Sequence, residues 1–303
     1  MTLAITGATG FVGQALLDKA AARALDMRAL TRRDQAARSY VEWVSGDLSD
    51  RAGLLRLMKQ AECVIHVAGV VNAPDRMGFQ TGNVNGTLQV VEAAVAAGVP
   101  RLIFVSSLSA REPGLSDYGA SKRQAERLVA ASGLDWTIVR PPAIYGPRDK
   151  EMLELFKAAK WGVVPMPAGG RASVLHVEDL ARLLLALVPS GRDVSYRLFE
   201  PDDGRENGWS HPRLAREIGR AMGRPGVWVP QLSPQMMQRA AKLDAMFRKD
   251  RAKLTPDRVN YMTHPDWVCS PELSPPARRW APRVETTEGL AQTAQWYRDN
   301  KWL

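Results

Sequence analysis

Three glycines spaced three residues apart, Gly7, Gly10 and Gly13, stand between a short apolar run and a segment with helical periodicity. The apolar run at 3–6 predicts a buried strand, and residues 11–25 predict a helix. Glycine permits a tight turn and a close approach of the backbone to a ligand, and the start of the helix offers free N–H groups. The pattern predicts a turn that binds a dinucleotide. The residues expected to face it are Gly7, Thr9, Gly10, Phe11, Val12 and Gly13.

Strands and helices alternate through the first half of the chain. The predicted strands are 3–6, 27–31, 41–44, 63–67, 102–105 and 136–139, and the predicted helices are 11–25, 54–60, 83–97 and 117–131. Such alternation implies a parallel sheet that is covered by helices on both faces. The predicted fold class is therefore α/β, a doubly wound parallel sheet of the Rossmann type. Ligands of such sheets bind at the carboxyl ends of the strands.

The alternation ends after Pro147, and the composition changes after Ser190, where Pro, Trp and Met become frequent. Between these two points, residues 174–188 return to a strand followed by a helix. We therefore predict an NAD(P)-binding domain over residues 1–148 and 173–190. A smaller substrate-binding lobe is predicted over residues 149–172 and 191–303.

The end of the second strand bears on the choice of cofactor. An acidic residue there would bond the adenosine ribose and repel a 2′-phosphate. This chain has Arg32 and Arg33 instead, and guanidinium groups suit a phosphate. The pattern favours NADP, and NAD stays open. Asp47 and Leu48 are expected to meet the adenine, and Ala68 and Gly69 the ribose.

Tyr118 and Lys122 are four residues apart on a predicted helix, so they share a face. A nearby ammonium group favours the phenolate and brings the pKa of a tyrosine toward the working pH. Lys122 can also bond the nicotinamide ribose. A hydroxyl group at the end of the fifth strand can hold the substrate oxygen, and Ser106, Ser107 and Ser109 are the candidates. Proton transfer by Tyr118 next to a nicotinamide predicts interconversion of a ketone and a secondary alcohol, and this chemistry needs no metal ion.

Several motifs occur in a characteristic order along residues 1–190. They are TGATGFVG (6–13), GDL (46–48), HVAG (66–69), NVNGT (83–87), FVSS (104–107), YGASK (118–122), RPPAIYGP (140–147) and HVEDLA (176–181). As a set they resemble the extended and atypical short-chain dehydrogenase/reductases. That superfamily includes nicotinamide-dependent epimerases and dehydratases and the 3β-hydroxysteroid-type dehydrogenases.

The resemblance implies roles for individual residues. Ser107, Tyr118 and Lys122 take the three catalytic positions. The cofactor-binding positions near the nicotinamide are Ser106, Tyr118, Lys122, Pro141, Ala143 and Ile144. By the same resemblance His176, Asp179 and Asn83 are structural.

The gap between Ser107 and Tyr118 is only eleven residues, whereas sugar-nucleotide members of the superfamily usually have a longer loop there. The short form resembles atypical members, some of which bind a nucleotide without known turnover. Two alternatives to a reductase therefore stay open. One is a sugar-nucleotide epimerase or dehydratase, and the other is a non-catalytic NAD(P)-binding assembly or redox-sensing protein.

The C-terminal lobe has an amphipathic segment that begins at Ser233-Pro234, a favourable start for a helix. Its apolar stripe consists of Met236, Ala240, Leu243 and Phe247, widened by Met237, Ala241 and Met246, beside the basic residues Arg239, Lys242, Arg248 and Lys249. We expect either ordinary packing on the core or a flexible wall over an apolar substrate. A steroid-like or a sphingoid or ceramide-type lipid is the preferred substrate.

The net charge of +9 and the two cysteines, which lie far apart in the sequence, limit the partners and locations that can be expected. Basic character suits an anionic cofactor or peripheral contact with an anionic membrane. The chain has no recognised nucleic-acid module, so no nucleic acid is expected. Without a secretory leader or an apolar run of about 18 residues, the expected location is cytoplasmic, at most peripheral to the inner face of the membrane. We expect a monomer or a homodimer paired through the helices at 83–97 and 117–131.

Overall fold

The computed structural model describes residues 2–248 and 254–303, without the side chains of Ala245, Phe247 and Arg248. The chain divides into two compact units, and neither is continuous in sequence. The first unit consists of Met1–Pro141, Leu180–Pro201 and Leu273–Ala281. The second consists of Pro142–Asp179, Asp202–Glu272 and Pro282–Leu303.

A seven-stranded parallel sheet forms the centre of the first unit. Its strands are β1 (Thr2–Thr6), β2 (Asp26–Thr31), β3 (Val41–Ser45), β4 (Cys63–His66), β5 (Arg101–Val105), β6 (Asp135–Val139) and β11 (Arg197–Phe199). Their order is β11-β6-β5-β4-β1-β2-β3. The direction of winding reverses between β1 and β4, and this reversal is where a doubly wound sheet opens a crevice for ligands. The predicted Rossmann-type fold is confirmed.

Helices cover this sheet. They are α1 (Phe11–Ala21), α2 (Arg51–Met58), α3 (Arg76–Phe79), a π-helical segment (Gln80–Asn85), α4 (Gly86–Ala96), a 3-10 turn (Leu108–Arg111), α5 (Asp117–Ala130) and, later in the chain, α7 (Val177–Ala186). The predicted helix start at residue 83 is wrong. Asp75 accepts a hydrogen bond from the Gly78 N–H at 2.8 Å and so begins the helix at Arg76.

The apolar sequences of the central strands match their complete burial. Every residue of β4 and β5 is buried, because helices lie on both faces of a parallel sheet. One apolar core lies under α2, α4 and α5 and includes Leu57, Val90, Phe104 and Ala125. Apolar runs of four or five residues therefore indicate the central strands here, without the alternation of a half-exposed strand.

The two compact units differ from the predicted domains in four segments. Residues 191–201 belong to the first unit, because β11 pairs in parallel with β6 through Leu198 and Ile138. Residues 273–281 join them, and Arg279 makes an ion pair with Asp193 at 2.8 Å. Residues 142–148 and 173–179 belong to the second unit. There β7 (Ala143–Tyr145) and β10 (Val174–His176) pair as a two-stranded parallel sheet.

The second unit has short strands and its own core. Its remaining elements are α6 (Leu153–Lys160), β8 (Met166–Pro167), β9 (Arg171–Ala172), β12 (Trp209–Ser210), α8 (His211–Ala221), β13 (Gln231–Leu232), α9 (Pro234–Arg248), α10 (Pro256–Met262), β14 (Asp266–Trp267) and α11 (Thr286–Asp299). The core gathers Tyr145, Phe156, Ile218, Leu290 and Tyr297. A 3-10 turn (Pro271–Leu273) leads out of this unit.

Only part of the expected apolar stripe of α9 is packed. Met237 and Ala241 are buried and pack with Val259 of α10. Met236 and Leu243, both of the predicted stripe, are more than half exposed. The buried residues are two of those expected to widen the stripe, so core packing does not explain the exposed Met236 and Leu243. The side chains of Phe247 and Arg248, and Lys249 as a whole, lie outside the described residues.

No helix within the described ranges is both long enough and apolar enough to cross a bilayer.

Candidate active site

The glycine turn after β1 has backbone geometry that only glycine fits. Gly7 has φ of +75°, and a Cβ atom on it would lie 2.6 Å from the Ala68 nitrogen. A Cβ atom on Gly13 would lie 2.1 Å from the Gly7 carbonyl oxygen. The Gly10 N–H closes the turn by donating to the same oxygen at 3.0 Å. The first and third glycines therefore allow the loops and the helix to pack closely, while Gly10 is exposed.

Helix α1 begins in a way that suits an anion. Gly10 is its N-cap residue and supplies no side-chain cap, and no acidic residue lies in the first turn. The first N–H groups of a helix point outward and coincide with the positive end of the helix dipole. Thr9 and Gly10 are exposed, and Phe11 and Val12 are half-buried. A dinucleotide pyrophosphate fits this turn, and the residues here would hold it through backbone N–H groups.

A buried histidine connects the turn to the loop that follows β4. Thr6 Oγ1 and His66 Nδ1 lie 2.6 Å apart, and His66 Nε2 lies 3.0 Å from Thr87 Oγ1. Burial, followed by the charge of Lys122, lowers the pKa of His66 to about 3, so the ring is neutral at physiological pH. Thr6 Oγ1 also accepts from the Ala68 N–H at 3.3 Å. These contacts fix the Ala68-Gly69 loop at the point where the sheet reverses.

The two predicted arginines stand at the carboxyl end of β2. Arg32 and Arg33 are exposed, and Thr31 Oγ1 donates to the Arg33 carbonyl at 2.7 Å and so shapes the turn. Hydrogen bonds from Ser49, and then the charge of Arg32, lower the pKa of Asp47. The structure thus places both arginines and Asp47 at one end of β2 and β3.

Leu48, the other predicted adenine contact, is half-buried. It packs against Gly86 of α4, where an added Cβ atom would lie 2.7 Å from Leu48 Cδ1. Its side chain therefore closes the space between the loop after β3 and α4. A partly exposed apolar side chain at this point can flank a base.

Lys122 is buried on α5, and its ammonium group is held on two sides. Nζ donates to the Val105 carbonyl at 2.8 Å and lies 4.5 Å from the centre of the Phe104 ring. Burial lowers the pKa of Lys122 to about 8, and the charge of Glu126 opposes that shift. A Cβ atom on Gly69 would lie 3.5 Å from Nζ. The structure therefore brings Lys122 beside the predicted ribose loop.

Tyr118 lies one turn before Lys122, in the first turn of α5. Ser116 caps this helix by accepting from the Gly119 N–H at 3.0 Å. The Tyr118 ring is half-buried and lies 5.9 Å from the ring of Phe79. The phenol is thus set against an aromatic side chain and retains access to solvent, as an acid–base group that meets a substrate requires.

The three candidate serines differ in their surroundings. The Ser106 hydroxyl is buried and donates to Glu126 Oε1 at 2.6 Å, so it is directed into the protein. Ser107 is half-buried, and its Oγ accepts from the Ser109 hydroxyl at 2.9 Å. That bond leaves the Ser107 proton free to be donated elsewhere. Ser107 is therefore the hydroxyl best placed for a substrate oxygen.

The short gap between Ser107 and Tyr118 forms a compact connection. The Leu108 N–H donates to the Pro141 carbonyl at 2.9 Å and fixes the start of the 3-10 turn. An added Cβ atom on Gly119 would lie 2.6 Å from the Ser109 carbonyl oxygen, so this turn packs directly on α5. Eleven residues are therefore enough to place Ser107 and Tyr118 on adjoining segments.

An ion-pair network under α5 was missed from the sequence. Glu126 accepts from Arg140 Nε and Nη2, each at 2.7 Å, and Arg140 also lies 3.4 Å from Glu200. All three side chains are buried. The spacing Tyr118, Lys122, Glu126 puts all three on one helical face, and that spacing was the available signal.

The residues expected to be structural have structural contacts. Asn83 Oδ1 accepts from the Val70 N–H at 2.7 Å, and Asn83 Nδ2 donates to Ser121 Oγ at 2.9 Å. Asp179 accepts two backbone N–H bonds, from Arg283 and Val284. These polar side chains therefore fasten loops to helices.

The remaining predicted nicotinamide contacts fall in both units. Pro141 is buried at the end of the first unit, where its carbonyl accepts from the Leu108 N–H and holds the 3-10 turn. Ala143 is exposed and Ile144 half-buried on β7 of the second unit. Their predicted contact with the nicotinamide stays a prediction.

The glycine turn, the open start of α1 and the Tyr118–Lys122 pair together define a nicotinamide-dependent enzyme of the short-chain dehydrogenase/reductase superfamily. The chain belongs to the NAD(P)H-binding family, whose model matches residues 7–188. It binds NAD(P), and it is an NAD(P)-dependent enzyme.

Two relatives and one solved structure show what the chain is similar to. It is 38% identical to the ceramide reductase of Caulobacter vibrioides, over 99% of this chain and 96% of that protein. It is 35% identical to the sterol demethylase protein B of Methylococcus capsulatus, over 49% of this chain and 53% of that protein. MoeE5 in complex with UDP-glucose and NAD superposes with a TM-score of 0.75 at 23% identity, over 99% of each chain. The last likeness shows the fold alone.

Proposed function

We propose that the protein is an NADPH-dependent reductase that converts a ketone to a secondary alcohol on a sphingoid or ceramide-type lipid. The reaction rests on one observation, the buried Lys122 ammonium held one helical turn from the half-exposed Tyr118, beside the dinucleotide turn. The substrate class is supported by the ceramide reductase of Caulobacter vibrioides, because that alignment extends through both units of the chain.

When bound, NADPH supplies the hydride that reaches the carbonyl carbon. Ser107 donates a hydrogen bond to the carbonyl oxygen, which polarises the C=O bond and orients the ketone. Tyr118 then gives its proton to that oxygen and leaves the alcohol. Lys122 stabilises the tyrosinate that remains, because its ammonium group lies one turn along the same helix. Solvent returns the proton to Tyr118, and the reverse sequence oxidises the alcohol.

The preference for NADPH is supported by Arg32 and Arg33. Both are exposed at the end of β2, at the position where a ribose-binding carboxylate would stand in an NAD-specific site. A guanidinium group can bond a 2′-phosphate through two N–H donors. Peripheral contact with an anionic membrane, which the basic composition favours, would bring the enzyme to a lipid substrate.

The reaction is tested by following NADPH oxidation with a ketone-bearing ceramide-type lipid in detergent micelles, and by identifying the alcohol with mass spectrometry. Tyr118→Phe is expected to lower kcat by about a hundredfold or more, since general acid catalysis contributes that much, and to leave NADPH binding nearly unchanged. Phe79→Leu is the matched control, because it alters the neighbouring ring and keeps the phenol.

Three outcomes would contradict the proposal. Full activity of Tyr118→Phe would remove the acid–base role. Turnover of a UDP-sugar in place of the lipid would indicate an epimerase or dehydratase. Tight NADPH binding with no turnover of any ketone would indicate a binding or redox-sensing protein.

A further inference from the structure

Two tryptophans of the second unit are unusually exposed. Trp161, at the end of α6, is 84% exposed, and Trp228 is 67% exposed. Large aromatic side chains dominate protein cores, and exposure of two neighbouring indoles forgoes much of the free energy that their burial would supply. Neither residue is in the site described above.

Backbone hydrogen bonds bring the two tryptophans together. The Trp228 N–H donates to the Gly162 carbonyl at 2.9 Å, and the Trp228 carbonyl accepts from the Val164 N–H at 2.9 Å. Trp161 directly precedes Gly162 in the chain, so both indoles belong to one edge of the molecule. We call this feature the Trp161–Trp228 edge.

The pairing also determines which side chains face outward. Val163 and Trp228 are bridge partners, so their side chains lie on the same face of this short ladder. The adjacent residues, Val164 and Val227, point the other way and are buried in the core of the unit. The Trp228 side chain therefore faces outward, because the adjacent Val164 and Val227 side chains face the core.

The flanking charge on this edge is positive. Lys160 precedes Trp161 and Arg224 lies four residues before Trp228, and both are exposed. Within the described part of the chain, no ion pair engages either of them. The nearby Lys157 and Arg220 do pair, with Glu154 and Glu217 respectively. Lys160 and Arg224 are thus available to a negatively charged surface.

We propose that the Trp161–Trp228 edge docks the protein onto the surface of a bilayer that contains anionic phospholipids. Indole rings prefer the headgroup region, where the apolar ring is sheltered and the N–H stays hydrated. Anionic lipids attract Lys and Arg side chains close to the bilayer surface, and the long stems of these residues can lie along the apolar boundary. Two outward indoles beside two cations match that environment. The docking goes beyond the proposed reduction and does not depend on it.

Co-sedimentation with vesicles tests the docking, with neither cofactor nor lipid substrate present. The protein is expected to sediment with vesicles of phosphatidylcholine mixed with phosphatidylglycerol, less with phosphatidylcholine alone, and less at high salt. Trp161→Ser with Trp228→Ser should weaken the partition coefficient for mixed vesicles by about tenfold. Tyr196→Ser, which removes an exposed aromatic side chain of the first unit, should have no effect.

A second pair of variants tests the charge separately. Lys160→Glu with Arg224→Glu should weaken binding to mixed vesicles by about tenfold or more. Arg23→Glu with Lys59→Glu changes the net charge equally at exposed sites of the first unit and should bind nearly as the wild type does. The melting temperature of each variant confirms folding.

Docking is overturned if the wild-type protein does not sediment with mixed vesicles, or if the tryptophan variant sediments as well as the wild type. Equal losses in the charge-reversal pair and its control would also overturn it, because net charge alone would then explain the binding. Failure of docking leaves the ketone assay unaffected, so the two proposals are judged independently.

Discussion

Two opposing effects act on the protonation of the Lys122 side chain. Its ammonium group must stay protonated to stabilise the Tyr118 phenolate, yet burial favours the neutral amine. The Val105 carbonyl, the face of the Phe104 ring and the carboxylate of Glu126 favour the charged form. The balance puts the pKa of Lys122 at about 8, within reach of physiological pH.

The pH profile of ketone reduction should therefore have a limb near pH 8. Below the pKa of Lys122 the ammonium group is present, and above it the amine is neutral and no longer stabilises the phenolate. We expect kcat/KM for reduction to fall as the pH rises through about 8, by about tenfold per unit beyond it. Stopped-flow rates between about pH 6 and pH 10 check this, since that range spans the ordinary and the lowered pKa of a lysine. A profile that stays flat above pH 9 would contradict the assignment.

Arg32→Ala should weaken NADPH binding by about tenfold, because one charge-assisted hydrogen-bond partner of the 2′-phosphate is lost. Binding of NADH, which has no such phosphate, should stay nearly unchanged. Dissociation constants for both nucleotides, measured by titration calorimetry, give the comparison. Arg23→Ala removes an exposed arginine elsewhere in the first unit and serves as the control. Equal losses for NADPH and NADH would contradict the preference for NADP.

At the scale of elements, the glycine turn is a packing junction as much as a ligand site. Gly13 lets the first turn of α1 sit against Gly7 and Ala8, and backbone atoms leave no room for a side chain. Because those atoms belong to the main chain, a substitution cannot be relieved by a change of rotamer.

Gly13→Ala should therefore destabilise the protein by about 3 kcal/mol and abolish dinucleotide binding. Chemical denaturation and a nucleotide titration measure the two effects. Gly114→Ala is the control, because an added Cβ atom there meets nothing within 4 Å. A Gly13→Ala variant as stable as this control would show that the turn is not packed as described.

The Glu126–Arg140 pair joins α5 to the end of β6. Glu126→Gln should lower the free energy of unfolding by about 3 kcal/mol, because it leaves the buried Arg140 guanidinium poorly compensated. It should also move the Lys122 limb to lower pH, since the Glu126 charge raises that pKa. Arg123→Gln removes the partly exposed partner of the same carboxylate and should cost less than about 1 kcal/mol. A limb that does not move in Glu126→Gln would refute the electrostatic role and leave only the structural one.

Local patterns predicted the strands of the main sheet well and the later elements poorly. Strands such as β4 and β5 are continuous apolar runs, so periodicity and length identify them. Strand β11 has only three residues, and its place is decided by pairing with β6, a contact that no local pattern reveals. The α9 stripe was predicted only in part for a related reason, because tertiary packing buries Met237 and leaves its equally apolar neighbour Met236 exposed.

The candidate site shows the same difference between motifs that are local in the sequence and contacts that form only on folding. The glycine turn and the Tyr118–Lys122 spacing are local, so the sequence contains them. The inward turn of Ser106 toward Glu126 and the support of Ser107 by Ser109 depend on side-chain contacts that appear only in the folded chain.

At the scale of the whole molecule, each unit has its own apolar core, and the dinucleotide turn lies in the first. A ligand that binds only the folded state stabilises it by mass action. NADPH at a hundred times its dissociation constant should stabilise the protein by about 2.7 kcal/mol, which a rise in melting temperature reports. The Gly13→Ala variant should show no such rise. A rise of the same size in that variant would indicate a binding site elsewhere.

The discontinuity of the first unit has a consequence for biosynthesis. Its last strand, β11, follows about forty residues of the second unit, 142–179. Residues 273–281, whose Arg279 ion-pairs with Asp193 shortly before β11, follow about seventy more, 202–272. A ribosome therefore releases most of the second unit before the first unit is complete, and residues 142–179 of it before β11 can pair with β6. Until β11 has left the exit tunnel, the edge of the sheet at β6 is open to pairing with other chains, and open strand edges favour aggregation.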